Sequence, residues 1–386
     1  MLNLSAKHLM FAALFARLLR NSNAVPFPGT VGPYHTSIAT TQLIDHHRLD
    51  PYAPTPQPRT LMISLFHPVR PAACCPSRTS YMDPVTATFE DEQYAQAGIP
   101  AGAFGSLSLQ TCKPCPNATS SRRVKGPEFP LVLFSPGLGN TRLLHSVMAQ
   151  QLSSTGYIVV TIDHPYDAGI VTFPDNTTIL AANITTDDQI VDDLDVRVRD
   201  VSFVLDELHR PSVISKLIPG QTCGLDTSKV GIYGHSLGGA TAAEAMLSDS
   251  RLKGGINLDG SFFGSVIHRG LDRPFMIMAH EGKNLTTDAT WGALWPKLKG
   301  TRRRFMIKGS THGTFTDLAQ AADILGLREE FPTQAAVFLG SIEGGRALQV
   351  IATYTSRFFD FVLKGKKVEL LEMSSKEFPE VIAGED

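Results

Sequence analysis

The chain has 386 residues, 42% of them apolar, and a net charge of −2. That composition supports a packed core and excludes wholesale disorder; a chain this long buries roughly 75% of the surface its unfolded form exposes. No basic stripe extends beyond Arg302-Arg303-Arg304, which reads as a solvated strand edge, so nucleic acid is not an expected partner.

In chain order, residues 1–24 read as a secretory signal peptide. Lys7 supplies the positive end, residues 9–19 the apolar stretch (interrupted by Arg17), and Ser22-Asn23-Ala24 the small residues of a cleavage site. The stretch is shorter than the about 20 residues of a membrane span. An amphipathic anchor or a mitochondrial presequence is the alternative. Export to the extracellular space agrees with four glycosylation sequons, at Asn117, Asn176, Asn183 and Asn284. It also agrees with the paired cysteines Cys74/Cys75 and Cys112/Cys115, which an oxidising compartment would join in two bridges, leaving Cys223 or another thiol over. The C-x-x-C spacing of Cys112 and Cys115 has no companion pair, so no metal site is expected.

Residues 25–128 are rich in Pro, Gly and Ser and read as loop-rich, with one strand at 61–66 ended by Pro68. From Phe129 onward, apolar runs alternate with helical patterns, the signature of βαβ units on a parallel sheet. The strands fall at 131–134, 157–162, 230–233, 255–258, 275–279 and 305–307. Helices fall at 141–152, 196–208, 237–247 and 348–363, the last stopped by Gly365. Residues 25–386 thus read as one α/β domain, with a frayed acidic tail from about 373 to 386.

Gly234-His235-Ser236-Leu237-Gly238 lies directly between a strand and an Ala-rich helix. This strand–turn–helix context is what a nucleophile elbow requires, because the sharp turn lifts the serine out of the sheet edge. Ser236 is the candidate nucleophile, and a serine hydroxyl needs a base. His312, in the loop after the last core strand, is the candidate base, ahead of His280 and His268. Asp259 closes the run Asn257-Leu258-Asp259 at the carboxyl end of a strand, on the same edge as the elbow, and is the candidate acid. The oxyanion hole needs two backbone N–H groups. Leu237 follows the nucleophile; Leu138, in Ser135-Pro136-Gly137-Leu138-Gly139, is the second candidate. His164 and His280, at strand ends on that edge, are candidate pocket residues. Phe262 and Phe263 either wall an acyl pocket or pack in the core. Trp291 and Trp295 share a helix face, which either touches lipid or packs inside.

Four stretches together resemble the platelet-activating-factor acetylhydrolase family, in its plasma-type and fungal-like branch. They are Phe134-Ser135-Pro136-Gly137-Leu138-Gly139, Gly234-His235-Ser236-Leu237-Gly238-Gly239, Asn257-Leu258-Asp259 and Lys308-Gly309-Ser310-Thr311-His312. Gly32-Pro33-Tyr34, Leu61–Phe66 and Phe315-Thr316-Asp317-Leu318 also look like that family. The resemblance implies an α/β-hydrolase fold and a serine esterase that needs no cofactor and no Ca²⁺. It implies release of short or oxidised acyl chains from glycerophospholipids, like a 1-alkyl-2-acetylglycerophosphocholine esterase. Ser236, Asp259 and His312 would be the triad, and Leu138 and Leu237 the oxyanion donors. Pro136 departs from the histidine often found there. A general carboxylesterase or polyester/cutin-type hydrolase is the alternative, since related folds run that chemistry with the same machinery.

Overall fold

A computed structural model describes residues 24–115, 129–371 and 375–384. The signal segment, apart from its last residue, and the Asn117 sequon lie outside the described residues. Nine strands form the main sheet. In chain order they are β1 (His35–Leu49), β2 (Pro58–Val69), β3 (Leu131–Ser135), β4 (Ile158–Asp163), β5 (Val230–His235), β6 (Leu252–Leu258), β7 (Phe275–His280), β8 (Arg302–Ile307) and β9 (Val381–Ala383). Their spatial order is β9-β8-β7-β6-β5-β3-β4-β2-β1. The six from β4 to β8 run parallel, flanked by antiparallel β2 and β9.

The parallel strands read as unbroken apolar runs because alternate side chains enter two different cores. Val132, Phe134, Tyr233, Ile256 and Met276 face one core, with α2 (Ser146–Ser154) and α6 (Gly344–Lys364). Leu131, Leu133, Ile232, Phe275 and Ile277 face the other, with α3 (Asp187–Leu208) and α4 (Leu237–Ser248). On α6 the buried Ala347, Leu348, Ile351, Tyr354, Phe358 and Phe359 form one helical stripe, and Gly365 ends it with φ 65°.

Several expectations need correction. Residues 25–115 are not loop-rich. They carry β1, β2, the helix α1 (Pro84–Gln93) and a small sheet in which Cys74–Ser80 pairs with Leu107–Pro114. The hairpin strand β1 carries little apolar signal because its residues are mostly polar and few are buried. Two disulfides, Cys74–Cys112 and Cys75–Cys115, cross-link the small sheet, as the cysteine pairs led one to expect, and Cys223 is free and exposed. Helix α3 starts at Asp187, nine residues before the apolar pattern. There Thr186 and Gln189 form a capping box over an acidic first turn. Arg302-Arg303-Arg304 is half-buried inside the sheet rather than solvated: Arg302 and Arg304 lie 4.9 and 5.8 Å from the Trp295 ring centroid. Residues 375–384 are not frayed: Phe378 and Val381 are buried, and β9 pairs with β8. Of the two readings of Trp291 and Trp295, packing is the one that holds: they are 0% and 5% exposed.

A buried charge network ties the β1–β2 hairpin to the rest. Arg59 of β2 donates to Asp200 of α3 at 2.7 Å, to Asp50 at 2.8 Å and to the Pro165 carbonyl at 2.9 Å. In α1, Glu90 is buried, and burial, with the charges of Asp163 and Asp91, pushes its carboxyl up to about 8. The folded state therefore holds this proton more tightly than the unfolded chain, whose glutamates titrate near ~4.3. Stability tied to Glu90 falls as pH rises between those values and then levels off. Glu90→Gln is expected to gain thermal stability over the parent between pH 5 and pH 8. Thermal unfolding at both pH values checks this; an equal difference at the two would contradict it.

Candidate active site

The edge of the sheet at the carboxyl ends of β5, β6, β7 and β8 gathers the sequence-predicted residues. Ser236 follows β5 with φ 54° and ψ −124°, a backbone region that non-glycine residues rarely occupy. Its N–H is held by the Leu258 carbonyl at 2.9 Å. Helix α4 begins at the next residue, so the Leu237 N–H has no intrahelical acceptor. The turn is so tight that a side chain at Gly238 would collide with the Ser135 carbonyl.

Asp259 follows β6 with φ 63° and is fully buried. The Asn257 side chain turns the chain there, accepting from the Gly260 N–H at 2.6 Å and donating to the Gly260 carbonyl at 2.8 Å. His312 lies in the loop after β8. Thr311 Oγ1 and Thr314 Oγ1 donate to the Phe338 and Leu339 carbonyls and pin that loop. His312 Nδ1 donates to Asp259 Oδ2 at 2.6 Å. Burial alone would raise the Asp259 carboxyl. Hydrogen bonds from His280 and His312 and the charge of Lys283 outweigh it and hold the group well below the usual carboxylate range. Asp259 is therefore an anion at neutral pH, suited to fix His312 with Nε2 free to take a proton.

His235 packs beside Ser236. Its Nε2 donates to the His312 carbonyl at 3.1 Å, and its ring lies 4.5 Å from the His312 ring and 5.5 Å from that of His145. Burial keeps His235 and His145 neutral, with His145 lowered to about 3. Ser236 and His312 both line a cavity of about 360 Å³, together with Leu138 and Asn140.

The profile of the family described as "Platelet-activating factor acetylhydrolase, isoform II" matches residues 79–191 and 222–358. The chain belongs to the platelet-activating factor acetylhydrolase family. It is similar to a protein of Arthroderma benhamiae described as "Probable 1-alkyl-2-acetylglycerophosphocholine esterase". The two are 30% identical over 97% of this chain and 98% of that one. The platelet-activating factor acetylhydrolase of Cavia porcellus is 27% identical over 55% of each chain. Among solved structures, a ferulic acid esterase from Streptomyces cinnamoneus superposes with a TM-score of 0.74 at 28% identity, over 94% of this chain and 100% of that one. The fold is thus that of the α/β-hydrolases, and the protein is a carboxylic ester hydrolase of the serine type.

Within this family member the pocket is not built as the sequence led one to expect. Phe262 is buried in the core with its ring 6.0 Å from that of Phe275. Phe263 packs among Leu138, Ile190, Leu194 and Leu237. His164 is fully buried, bridging Asp200 at 2.9 Å and Ser135 Oγ at 3.0 Å. His280 sits against Asp259. None of the four lines the cavity. Its walls are instead Tyr94, Ile99, Leu318, Phe331, Phe338 and their neighbours. The one signal that pointed to them was the apolar segment at 332–339 between His312 and the closing helix, too short to be assigned by periodicity alone.

Asp259, His280 and His312 are also the described residues that come nearest to a metal cluster, their donor atoms lying within 4.8 Å of one another. The N···O separations of 2.6 to 2.8 Å are those of hydrogen bonds carrying a proton. Ligands of a tetrahedral ion bound at ~2.0–2.2 Å would stand wider apart, so the cluster does not fit a metal.

The loop Ser135–Asn140 is anchored from behind. Arg197 donates to the Pro136 carbonyl at 2.7 Å and to Ser135 Oγ at 3.2 Å, and the Gly139 N–H donates to the Asp167 carbonyl at 3.1 Å. The loop then crosses so close to the elbow that a methyl at Gly137 would stand 3.0 Å from Ser236 Cβ and 2.9 Å from Asn140 Oδ1. Gly137→Ala is expected to shift the loop and lower kcat/KM for p-nitrophenyl acetate about 100-fold, with the melting temperature little changed. A wild-type rate would mean that the loop tolerates the displacement.

Proposed function

We propose that the protein hydrolyses short acyl esters of glycerophospholipids, such as the 2-acetyl group of a 1-alkyl-2-acetylglycerophosphocholine, through an acyl-enzyme. The observation that carries this is the 2.6 Å bond from His312 to the buried Asp259 anion, beside the cavity that holds Ser236. His312 Nε2 takes the hydroxyl proton as Ser236 Oγ attacks the carbonyl carbon. The N–H groups of Leu138 and Leu237 receive the oxyanion. The protonated His312 returns its proton to the departing lysolipid alcohol. A water, deprotonated in turn by His312, then releases the short carboxylic acid and restores Ser236. The description of the fungal relative supports the substrate class. So does the cavity, whose apolar walls and modest volume suit a short chain better than a polymer.

A second reading, a general or aryl carboxylesterase, is favoured by the likeness to a ferulic acid esterase. Ser236→Ala should fold normally and lose at least ~10³-fold in rate; near-full activity would remove Ser236 from its role. The same assay, run on a p-nitrophenyl ester series and a 2-acetyl phospholipid, separates the two readings. Phospholipid cleavage with rates falling on longer chains supports the first. Activity confined to simple or aryl esters supports the second.

The enzyme is also proposed to be exported and to meet lipid surfaces peripherally. The two disulfides, the exposed Asn176 and Asn183 sequons and the half-buried Asn284 support export. In place of the buried tryptophans, lipid contact falls to the cavity rim. There α5 (Pro332–Leu339) leaves Val337 and Phe338 67% and 55% exposed. Val337→Asp/Phe338→Asp should cosediment less with phosphatidylcholine vesicles than the parent; unchanged binding would assign the contact elsewhere.

A further inference from the structure

The ester-hydrolysis mechanism leaves one strongly bonded side chain unused. His280 ends β7, next to β6, which ends just before Asp259. Its backbone N–H donates to Asp259 Oδ1 at 3.0 Å, and its Nδ1 lies 2.8 Å from Oδ1 and 2.7 Å from Oδ2. An ionised carboxylate only accepts, so both His280 and His312 must carry their proton on Nδ1. His280 is one-third exposed and lies outside the cavity that holds Ser236. It therefore cannot serve as the base.

We propose that His280 is a positioning residue: it clamps the Asp259 carboxylate so that Oδ2 is aimed at His312 Nδ1. The proposal rests on the triad reading above. The backbone N–H of His280 holds Oδ1 from one direction only; without the side-chain donor the carboxylate can rock about its Cβ–Cγ bond, and the His312 ring that it orients is held less firmly. The clamp also draws charge from Asp259. A carboxylate that shares its charge with His280 offers less of it to the imidazolium that forms at His312 during the reaction.

Other charged or titratable groups face this cluster. Lys283 donates to the Asp259 carbonyl at 2.8 Å and pairs with Asp288 at 3.3 Å. Glu281 accepts from the Gly309 N–H at 2.8 Å in the His312 loop. The His235 ring lies tilted against that of His312, and the His145 ring tilted against that of His235. None of these replaces the second donor to the Asp259 oxygens.

The test compares His280→Leu, which removes the side-chain donor, with His280→Asn, whose amide N–H reaches the Nδ1 position. Steady-state kinetics on p-nitrophenyl acetate are measured across pH 5 to 9. His280→Leu is expected to lose about 10- to 100-fold in kcat, the range typical of lost outer-shell partners, with KM little changed. Its acid limb in kcat/KM should move to higher pH. His280→Asn should recover most of kcat and the wild-type limb. Equal losses in both variants with an unmoved limb, or no loss in either, would overturn the proposal. If His280→Leu fails to unfold cooperatively, His280→Gln, whose amide falls at the Nε2 position, takes its place with the same expectation. Ser236→Ala run alongside separates the two failures. Full activity there removes the triad reading itself, whereas an inactive Ser236→Ala beside a wild-type His280→Leu removes only the clamp.

Discussion

A carboxylate taken out of water persists as an anion only if its lone pairs are matched by donors. Asp259 meets that condition where adjacent strand ends converge. β6 delivers the aspartate, β7 delivers His280, and the loop after β8 delivers His312. Gly260, the next residue, is pinned from a fourth direction, its carbonyl accepting from the Trp291 indole at 2.6 Å. A register slip of one residue along β6 would turn Asp259 to the opposite face and leave a buried charge without partners. The parallel order of β6, β7 and β8 is thus what the site depends on, and the apolar runs that secure that order are the deeper reason the chemistry works.

The loop Ser135–Asn140 has its own anchor, assembled from charge rather than from strand ends. Arg197 of α3 meets Asp167 and Asp193 while donating to the Pro136 carbonyl. His164 links Ser135 to Asp200, and Asp200 binds Arg59 of the hairpin. Proline at position 136 offers no N–H, but the carbonyl that Arg197 grips is unaffected by that loss. Burying so many ions gains little stability for its own sake; what the network supplies is a fixed place for the loop that carries Leu138.

Much of this was legible in the sequence because local chemistry and global fold agreed. The elbow was visible because its glycines, its strand and its Ala-rich helix all point to one turn. Asp259 and His312 stood at the ends of apolar runs. Other features were hidden because they arise from contacts across the chain. β1 is an edge strand of mostly polar residues, few of them buried, so it has no alternating apolar signature. The start of α3 is carried by its capping box and acidic first turn rather than by an apolar stripe. Phe262 and Phe263 resembled pocket residues by their nearness to Asp259, yet one packs into the core and the other behind the oxyanion loop. The place of His312 in the loop past the last core strand set it ahead of His280 as a base, but the bonds from His280 to Asp259 come into view only once β6 and β7 pair.

Much of the cavity's apolar wall comes from two segments outside the six parallel strands, Tyr94 to Ile99 and Leu318 to Leu339. Neither carries Ser236, His312 or Asp259. A lineage could therefore reshape these segments, lengthening one or trading its aromatic residues, and move from one class of ester to another while the strand ends stayed as they are. Relatives that share this sheet edge would then be expected to diverge first in these two walls, and comparing those walls would reveal more about which ester each accepts than comparing the strand ends.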